Sequence, residues 1–484
     1  MVKSLVIAGT QSGVGKTTLV VGLIAALRAR GLTVQPFKVG PDYIDSSHHS
    51  LAACRPCRNL DTWMMSPERT KALFEHAARS ADVALIEGVM GLFDGFGYED
   101  ESGSTAQVAK LLHTPVLLVI DASKVARSAA AFAVGFQRFD PQVRVAGFLV
   151  NRVGSESHGR GVASAIAQAT GLPVLGWLPR AESLSIPERH LGLIPSAEPG
   201  RWAEFGQATA RALAKYVDLD GVLALAGDCH LPGVQAQAQR SRHAPRDEFL
   251  TRSVTSTLTP DDRVVIAVAR DEAFHFCYQE NLTLMEEAGA TLQFFSPLHD
   301  EALPVGTAGV LLSGGFPEVY AGTLSANARM HASLRDAHAQ GLPIYAECGG
   351  LMYLTESITD FDGRCMPMAG LLPGRSVMTR RLTLGYRQAQ ASSASWLFHE
   401  KESVRGHEFH YSTWEDRPTD LPAAYLLTPR DGAGTPRLEG ACVGNLFASY
   451  VHLHFWGKPE LAQRFVAQAR RVSKGSSSLA HFAG

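Results

Sequence analysis

The sequence predicts an α/β protein of two domains, and three observations carry that prediction. A glycine-rich loop stands between an apolar run and a helical stretch near the N-terminus, and strand-like runs then alternate with helical stretches to about residue 195. After a polar interval the same rhythm resumes near residue 263. Length agrees, because 484 residues with 45% apolar composition exceed the size at which a single core keeps growing. The expected division is a domain over 1–195, a connecting segment over 196–262, a second domain over 263–460 and a tail over 461–484. The first domain should be a doubly wound, mostly parallel sheet.

Leu5-Val6-Ile7-Ala8 reads as a buried strand, GTQSGVGKTT as the loop and LVVGLIAALRARG as a helix packed under the sheet. Gly13 and Gly15 let the backbone turn its N–H groups toward phosphate oxygens, Lys16 reaches the terminal phosphates, and the Thr17 hydroxyl suits a magnesium ion. Thr18 completes the expected nucleotide contacts. The common pattern has its first glycine at position 10, where this chain has Thr10 with Gly9 one place earlier, as in dethiobiotin-synthetase-like loops.

PFKVGPDYIDSSHH places Asp42 and Asp45 in a turn after an apolar segment, and VALIEGVMGLFDG places Glu87 at a strand end with Asp94 in the next loop. Ligands gather beyond the carboxyl ends of strands in an open parallel sheet, so the four carboxylates are expected to converge beside Lys16 for magnesium binding and substrate activation. Asp42 or Asp94 taken singly could be an ordinary turn residue. VLLVID (116–121) and VAGFLVNRV (145–153) read as two more strands, and Asn151 could read a nucleotide base edge or serve as a cap or turn residue.

The second domain begins with VVIAVARD (264–271), followed by a helical NLTLMEEAGA, the strand-like TLQFFSPL and GVLLSGGFPE (309–318). Cys348 lies between the strand-like LPIYA and GGLMYLTE, which opens a helix. That is the pattern of a nucleophile elbow, in which the glycines permit the turn, the helix N-terminus favours a thiolate and its N–H groups can bind an oxyanion. Gly349 and, from the strand end Ser313-Gly314-Gly315-Phe316, Gly315 are the expected donors. Such a thiol needs an imidazole to take its proton, and NLFASYVHLHF offers His452 and His454.

Other chemistries fit less well. A net charge of -2 with evenly mixed signs gives no basic face for nucleic acid. The first residues lack the length and cleavage site of a signal peptide and no apolar run spans a bilayer, so the expected compartment is the cytoplasm. Seven scattered cysteines make no disulfide framework, and Cys54-x-x-Cys57 has no second pair at zinc spacing. His407, Glu408 and His410 in GHEFHYS invite a zinc reading, but the two histidines are three apart in a strand context, where the metalloprotease motif needs four on a helix. His48-His49 could line a substrate pocket or lie in a solvated loop.

Taken together, GTQSGVGKTT, PFKVGPDYID, RNLD, IEGVMGLFDG, NRV, LSGGFPEVYA, AECGGLMYL, LGYR, GHEFHYS and SYVHLHF give the chain, over essentially its full length, a sequence that resembles the cobyrinic or hydrogenobyrinic acid a,c-diamide synthase family. The resemblance implies an ATP-dependent amidoligase domain joined to a class I-like glutamine amidotransferase domain of the Triad type. It makes Cys348 the glutaminase nucleophile and His452 its base. His454 stands where many class I amidotransferases carry a glutamate that orients the base, which leaves the third member of the triad open. ATP and Mg²⁺ are the implied cofactors, and a corrinoid tetrapyrrole, glutamine and ATP the substrates, with a homodimer as a candidate assembly. Ammonia freed from glutamine would reach an acyl phosphate internally. The nearest alternatives are the same chemistry on nickel-sirohydrochlorin and a phosphate-loop ATPase switch of the partition type, which would have no use for a thiol elbow.

Overall fold

The computed structural model describes residues 2–181, 184, 199–229, 263–429 and 435–480, and forms two compact units, Met1–Arg246 and Asp247–Gly484. In the first unit the strands are β1 (Val2–Gly9), β2 (Val34–Val39), β3 (Arg58–Leu60), β4 (Val83–Glu87), β5 (Val116–Asp121), β6 (Val145–Val153) and β7 (Val174–Pro179). They lie in the order β3-β2-β4-β1-β5-β6-β7, each neighbouring pair parallel. The order grows outward from β1 in both directions, as a doubly wound sheet must, and the carboxyl ends of the strands are where its ligand loops emerge. Leu5, Val6 and Ile7 of β1 are wholly buried, which explains why this strand is apolar without alternation.

The crossovers are helices α1 (Lys16–Ala29), α2 (Tyr43–Ala53), α3 (Pro67–Ala78), α4 (Thr105–Leu111), α5 (Ser128–Phe139) and α6 (Glu156–Thr170). Several start at the expected side-chain caps. Ser66 accepts from the Arg69 N–H ahead of Pro67, Ser104 from Gln107 and Ser155 from His158.

Residues 199–229 depart from the connecting segment expected over 196–262. They form α7 (Pro199–Tyr216), α8 (Leu219–Leu225) and β8 (Gly227–Cys229), the last antiparallel to the start of β1. Leu213, Leu219 and Val222 join the core of the first unit, and Gly22 of α1 is packed so closely by α7 that a Cβ there would lie 2.3 Å from the Leu213 side chain. The rest of that interval, 230–262, lies outside the described residues.

The second unit is also α/β. Its elements run β9 (Val264–Ala269), β10 (Phe274–Phe276), α9 (Gln279–Glu287), β11 (Ala290–Phe295), β12 (Thr307–Leu312), β13 (Gly314–Gly315), α10 (Ala321–Ala326), α11 (Ala328–Ala339), β14 (Ile344–Glu347) and α12 (Gly349–Leu354). There follow β15 (Ser357–Thr359), β16 (Cys365–Pro367), β17 (Arg375–Ala391), β18 (Ser403–Glu415), β19 (Tyr425–Pro429), β20 (Arg437–Glu439), β21 (Ala441–Val443), β22 (Leu446–Ser449), β23 (His452–Leu453) and α13 (Glu460–Ala480). The central sheet has the order β11-β9-β12-β14-β22-β21, parallel up to its β21 edge. A second, mostly antiparallel sheet is built on the long pair β17 and β18, with β23 at its border.

The C-terminal segment corrects the expectation of a tail over 461–484. Leu461, Ala462, Phe465, Val466 and Ala469 on α13 are completely buried against the second unit's core. Truncating one such aromatic costs about 3–5 kcal/mol, so this helix is part of the fold.

Candidate active site

In the first unit the loop between β1 and α1 has the left-handed turns its glycines were expected to supply, with φ of 75° at Gly13 and 93° at Gly15. A Cβ at Gly15 would lie 2.3 Å from the Asn151 side-chain nitrogen. Asn151 Nδ2 donates to the Val14 carbonyl at 2.8 Å and its Oδ1 accepts from the Arg152 N–H at 2.9 Å. Of the two roles open to it in the sequence, the turn-holding one is what these contacts display.

Lys16 Nζ donates to the Met90 carbonyl at 2.5 Å and the Gln11 carbonyl at 3.4 Å. Burial, with the neighbouring charge of Lys38, pushes its ammonium down to about 8, while Glu87, Asp45 and Asp94 pull the other way. Three of the four expected carboxylates therefore face Lys16 electrostatically. Asp94 also closes its own loop, Oδ2 accepting from the Gly91 N–H at 2.9 Å.

Asp42 displays the turn role that the sequence left open to it. Its Oδ1 caps α2, accepting from the N–H groups of Ile44 at 2.7 Å and Asp45 at 3.0 Å, and burial together with Asp45 pushes its carboxyl up to about 6. The cap uses one of the two carboxylate oxygens.

Lys38 was not singled out in the sequence, and it organises this site. From the carboxyl end of β2 its Nζ reaches Asp45 Oδ2 at 2.6 Å and Glu87 Oε1 at 3.0 Å. Burial works against its charge, but Asp45 and Glu87 overcome it and hold the ammonium above its usual range. Glu87 would be raised by burial; Lys38 and His49 hold it well below the usual carboxylate range, and Oε1 also accepts from the Thr17 hydroxyl at 2.8 Å. His49 Nε2 contacts Glu87 Oε2, so His48 and His49 lie buried in α2, not in a solvated loop. The available signal was a lysine inside the apolar run VQPFKV, because a charge is buried only with partners.

In the second unit Cys348 joins β14 to α12 with φ 47° and ψ −103°, a strained conformation for a residue with a side chain, as a nucleophile elbow requires. The Sγ lies 3.7 Å from the Phe409 carbonyl of β18. Burial, then Glu318, push its thiol up strongly, and the Gly349 N–H only partly offsets them. The helix N-terminus is thus outweighed, and the thiol needs a base to take its proton.

His452 lies in β23, paired with His407 of β18, and its Nδ1 is 3.3 Å from Glu347 Oε2. Gly314 makes room for it, since a Cβ there would be 2.5 Å from His452 Cε1. The next residue, Gly315, approaches the elbow, where a Cβ on Gly349 would sit 3.0 Å from the Gly315 nitrogen. Gly314-Gly315 therefore bridges the imidazole and the elbow, and the two expected oxyanion donors are neighbours. His454 turns elsewhere: its Nε2 is 3.4 Å from Glu280 Oε2 and its ring packs on Tyr278 with centroids 4.6 Å apart.

The GHEFHYS segment is β18. Glu408 would be raised by burial; His410, Arg437 and Arg387 bring it down to about 2, and Arg387 Nε bonds it at 2.6 Å. Burial and His452 push His407 down to about 3. Glu408 is thus paired with two guanidiniums on the strand whose Phe409 carbonyl contacts the thiol, and among the described residues no cluster of three or more His, Cys, Asp or Glu could hold a metal ion. Neither Cys54 nor Cys57 is in a disulfide.

Comparison with known proteins gives two family matches, a CobQ/CobB/MinD/ParA nucleotide binding domain over residues 5–194 and a CobB/CobQ-like glutamine amidotransferase domain over residues 265–460. Among curated relatives, the cobyrinate a,c-diamide synthase of Dehalococcoides mccartyi (strain ATCC BAA-2266 / KCTC 15142 / 195) is 44% identical, with 97% of this chain and 98% of that protein covered. The Salmonella typhimurium protein of the same name is 43% identical over the same shares of each chain. A hydrogenobyrinate a,c-diamide synthase of Streptomyces coelicolor is 43% identical, again over 97% of this chain and 98% of its own.

Proposed function

The chain belongs to the cobyrinate a,c-diamide synthase family, and from that membership we propose that it uses ATP and glutamine to amidate the a and c acetate carboxylates of cobyrinic or hydrogenobyrinic acid. The observation that carries this reading is the pairing, in one chain, of a phosphate loop faced by carboxylates with a cysteine elbow backed by an imidazole. One half activates a carboxylate and the other supplies nitrogen. The expected setting is the cytoplasm, where both small substrates are present, and the expected assembly a homodimer. No helix among the described residues is long and apolar enough to cross a membrane.

In the first unit Gly13, Gly15, Lys16 and Thr18 hold the nucleotide phosphates, and the substrate carboxylate attacks the terminal phosphoryl group to give an acyl phosphate and ADP. Lys38 keeps Glu87 ionised and pairs with Asp45, and Asp45 and Asp94 orient the substrate. Thr17 and Glu87 would hold a Mg²⁺ ion, whose charge would neutralise the transferring phosphoryl group, and Asp42, with Oδ1 capping α2, would have Oδ2 to offer it. In the second unit Cys348 attacks the carboxamide of glutamine, His452 passes the thiol proton to the departing ammonia, and the N–H groups of Gly315 and Gly349 receive the oxyanion. Water then hydrolyses the thioester to glutamate. Ammonia displaces phosphate from the acyl phosphate, and two such cycles give the diamide.

Mass spectrometry of cobyrinic acid and, in parallel, hydrogenobyrinic acid after incubation with the protein, glutamine and ATP tests the proposal. Conversion of either to its diamide is the expected outcome and identifies the preferred macrocycle. Glutamine hydrolysis with neither converted would move the substrate to another tetrapyrrole, nickel-sirohydrochlorin first. A second expectation follows from the room Gly314 leaves. Gly314→Ala should displace His452 and lower glutamate release roughly 100-fold, as misplacement of a catalytic group by about 1 Å does, with ammonia-supported amidation retained.

A further inference from the structure

The carboxylate that faces His452 comes from an unexpected place in the chain. Along β14 side chains alternate, so Tyr345 and Glu347 share a face, and Tyr345 donates its hydroxyl to Glu347 Oε1 at 2.6 Å. The same oxygen accepts the Leu453 N–H at 3.0 Å, and the second, Oε2, is the one 3.3 Å from His452 Nδ1. Glu347 is 3% exposed and immediately precedes the elbow cysteine. A buried carboxylate is costly unless donors satisfy it, and here a hydroxyl and a backbone N–H fix one oxygen while the other is left for the imidazole. His454, where class I amidotransferases commonly place a glutamate, is engaged with Glu280 instead.

We infer that Glu347 is the positioning residue of the glutaminase site, completing a Cys348–His452–Glu347 triad in which the orienting carboxylate is supplied by the residue before the nucleophile. The inference rests on Cys348 being the glutaminase nucleophile. Glu347 accepts a hydrogen bond from the Nδ1–H of His452, which leaves the Nε2 lone pair to take the proton of the Cys348 thiol. The thiolate forms the C–S bond to the glutamine carboxamide, the C–N bond breaks, and the Nε2 proton leaves with ammonia. Glu347 takes up no proton in any of these steps and faces the imidazolium while it exists. Since burial raises the Cys348 thiol, deprotonation depends on this support more than in an exposed elbow.

Glu347→Gln keeps the shape and can still accept from Tyr345 and Leu453 through its carbonyl oxygen. It then presents an NH₂ group to Nδ1, which forces the proton of a neutral ring to Nε2, the wrong tautomer for a base. Wrong-tautomer substitution in the serine-protease triad lowers kcat by about 10⁴, so glutamate release should fall between roughly 10²- and 10⁴-fold. The glutamine KM should change less than about threefold, and the pH dependence of Cys348 alkylation by iodoacetamide should shift to higher pH. Ammonia-supported amidation should persist, which shows the variant folded. Glu347→Asp should recover part of the lost turnover. In the wild-type protein labelled with ¹⁵N-histidine, the His452 resonance, assigned by its loss in His452→Gln, should report a proton on Nδ1. A resonance with the proton on Nε2, or a folded Glu347→Gln protein with wild-type kcat and alkylation profile, overturns the inference. If Cys348→Ala also kept glutamine turnover, the reading of the nucleophile itself would be at fault, and the two failures are thereby separated.

Discussion

Cys348→Ala abolishes glutamine-dependent amidation and leaves the reaction with free ammonia standing. The thiol is the group that forms the covalent bond to glutamine, and triad members removed one at a time leave only the contributions of oxyanion donors and binding, so the loss should exceed about 10³-fold. The fold should survive. Alanine inherits the same φ of 47° as cysteine, so the strain already present at the elbow is unchanged, and the lost sulfur had one long contact to the Phe409 carbonyl. The ammonia-supported rate should rise with pH, because only neutral ammonia attacks an acyl phosphate, whereas the wild-type glutamine-supported rate need not follow that profile. Diamide formation with each nitrogen donor, measured across pH on both proteins, checks this. A glutamine-supported rate in the variant within tenfold of wild type would remove Cys348 from the chemistry and with it the division of labour proposed for the two units.

Much of this arrangement was legible because local rules and function coincide. A strand, a glycine loop and Lys16 opening a helix can hardly be anything else, and Cys348 before two glycines requires a sharp turn wherever it sits. What stayed hidden depended on partners distant in sequence. Lys38 and Glu87 are 49 positions apart and meet because β2 and β4 are neighbours in register, Lys38 opposite Glu87. Glu347 and His452 are 105 positions apart, and β14 and β22 had to pair before the histidine just beyond β22 could face β14. The capping role of Asp42 had a local signal that could have been seen, because Gly-Pro-Asp before a helical stretch reads as a helix N-cap. The helices over 199–225 were missed because an alanine-rich sequence leading into the polar run VQAQAQRSRHAPRDE resembles a linker until its apolar positions find a core, and α13 was missed because its buried stripe, Leu461, Phe465 and Ala469, emerges only at helical spacing.

Lys16→Met removes amidation with either nitrogen donor, and the pH dependence of Lys16 gives a second, independent check. In the free protein burial holds its ammonium at about 8, against 10.5 for an exposed lysine, so keeping it charged at neutral pH costs about 3 kcal/mol. The sign follows from proton counting. Below about pH 8 the folded and unfolded chains both carry this proton and the cost is present in full; between about 8 and 10.5 the unfolded chain binds more protons, so stability rises with pH; above that range the cost is gone. The Met variant, which keeps the volume and never carries the charge, should lack this rise, and the difference in unfolding free energy between the two proteins should shrink as pH increases. Nucleotide phosphates relieve the same cost by pairing with the ammonium. Affinity for ATP should therefore be full below pH 8 and fall as pH rises through it, by roughly tenfold at pH 9, because binding must then take up a proton. Calorimetry with ATP at pH 7 and pH 9 in buffers of different ionisation heat reads both the affinity and the proton uptake. Equal affinities with no uptake would mean that Lys16 is charged without strain in the free protein, and that the carboxylates of Glu87, Asp45 and Asp94 hold it more firmly than burial opposes it.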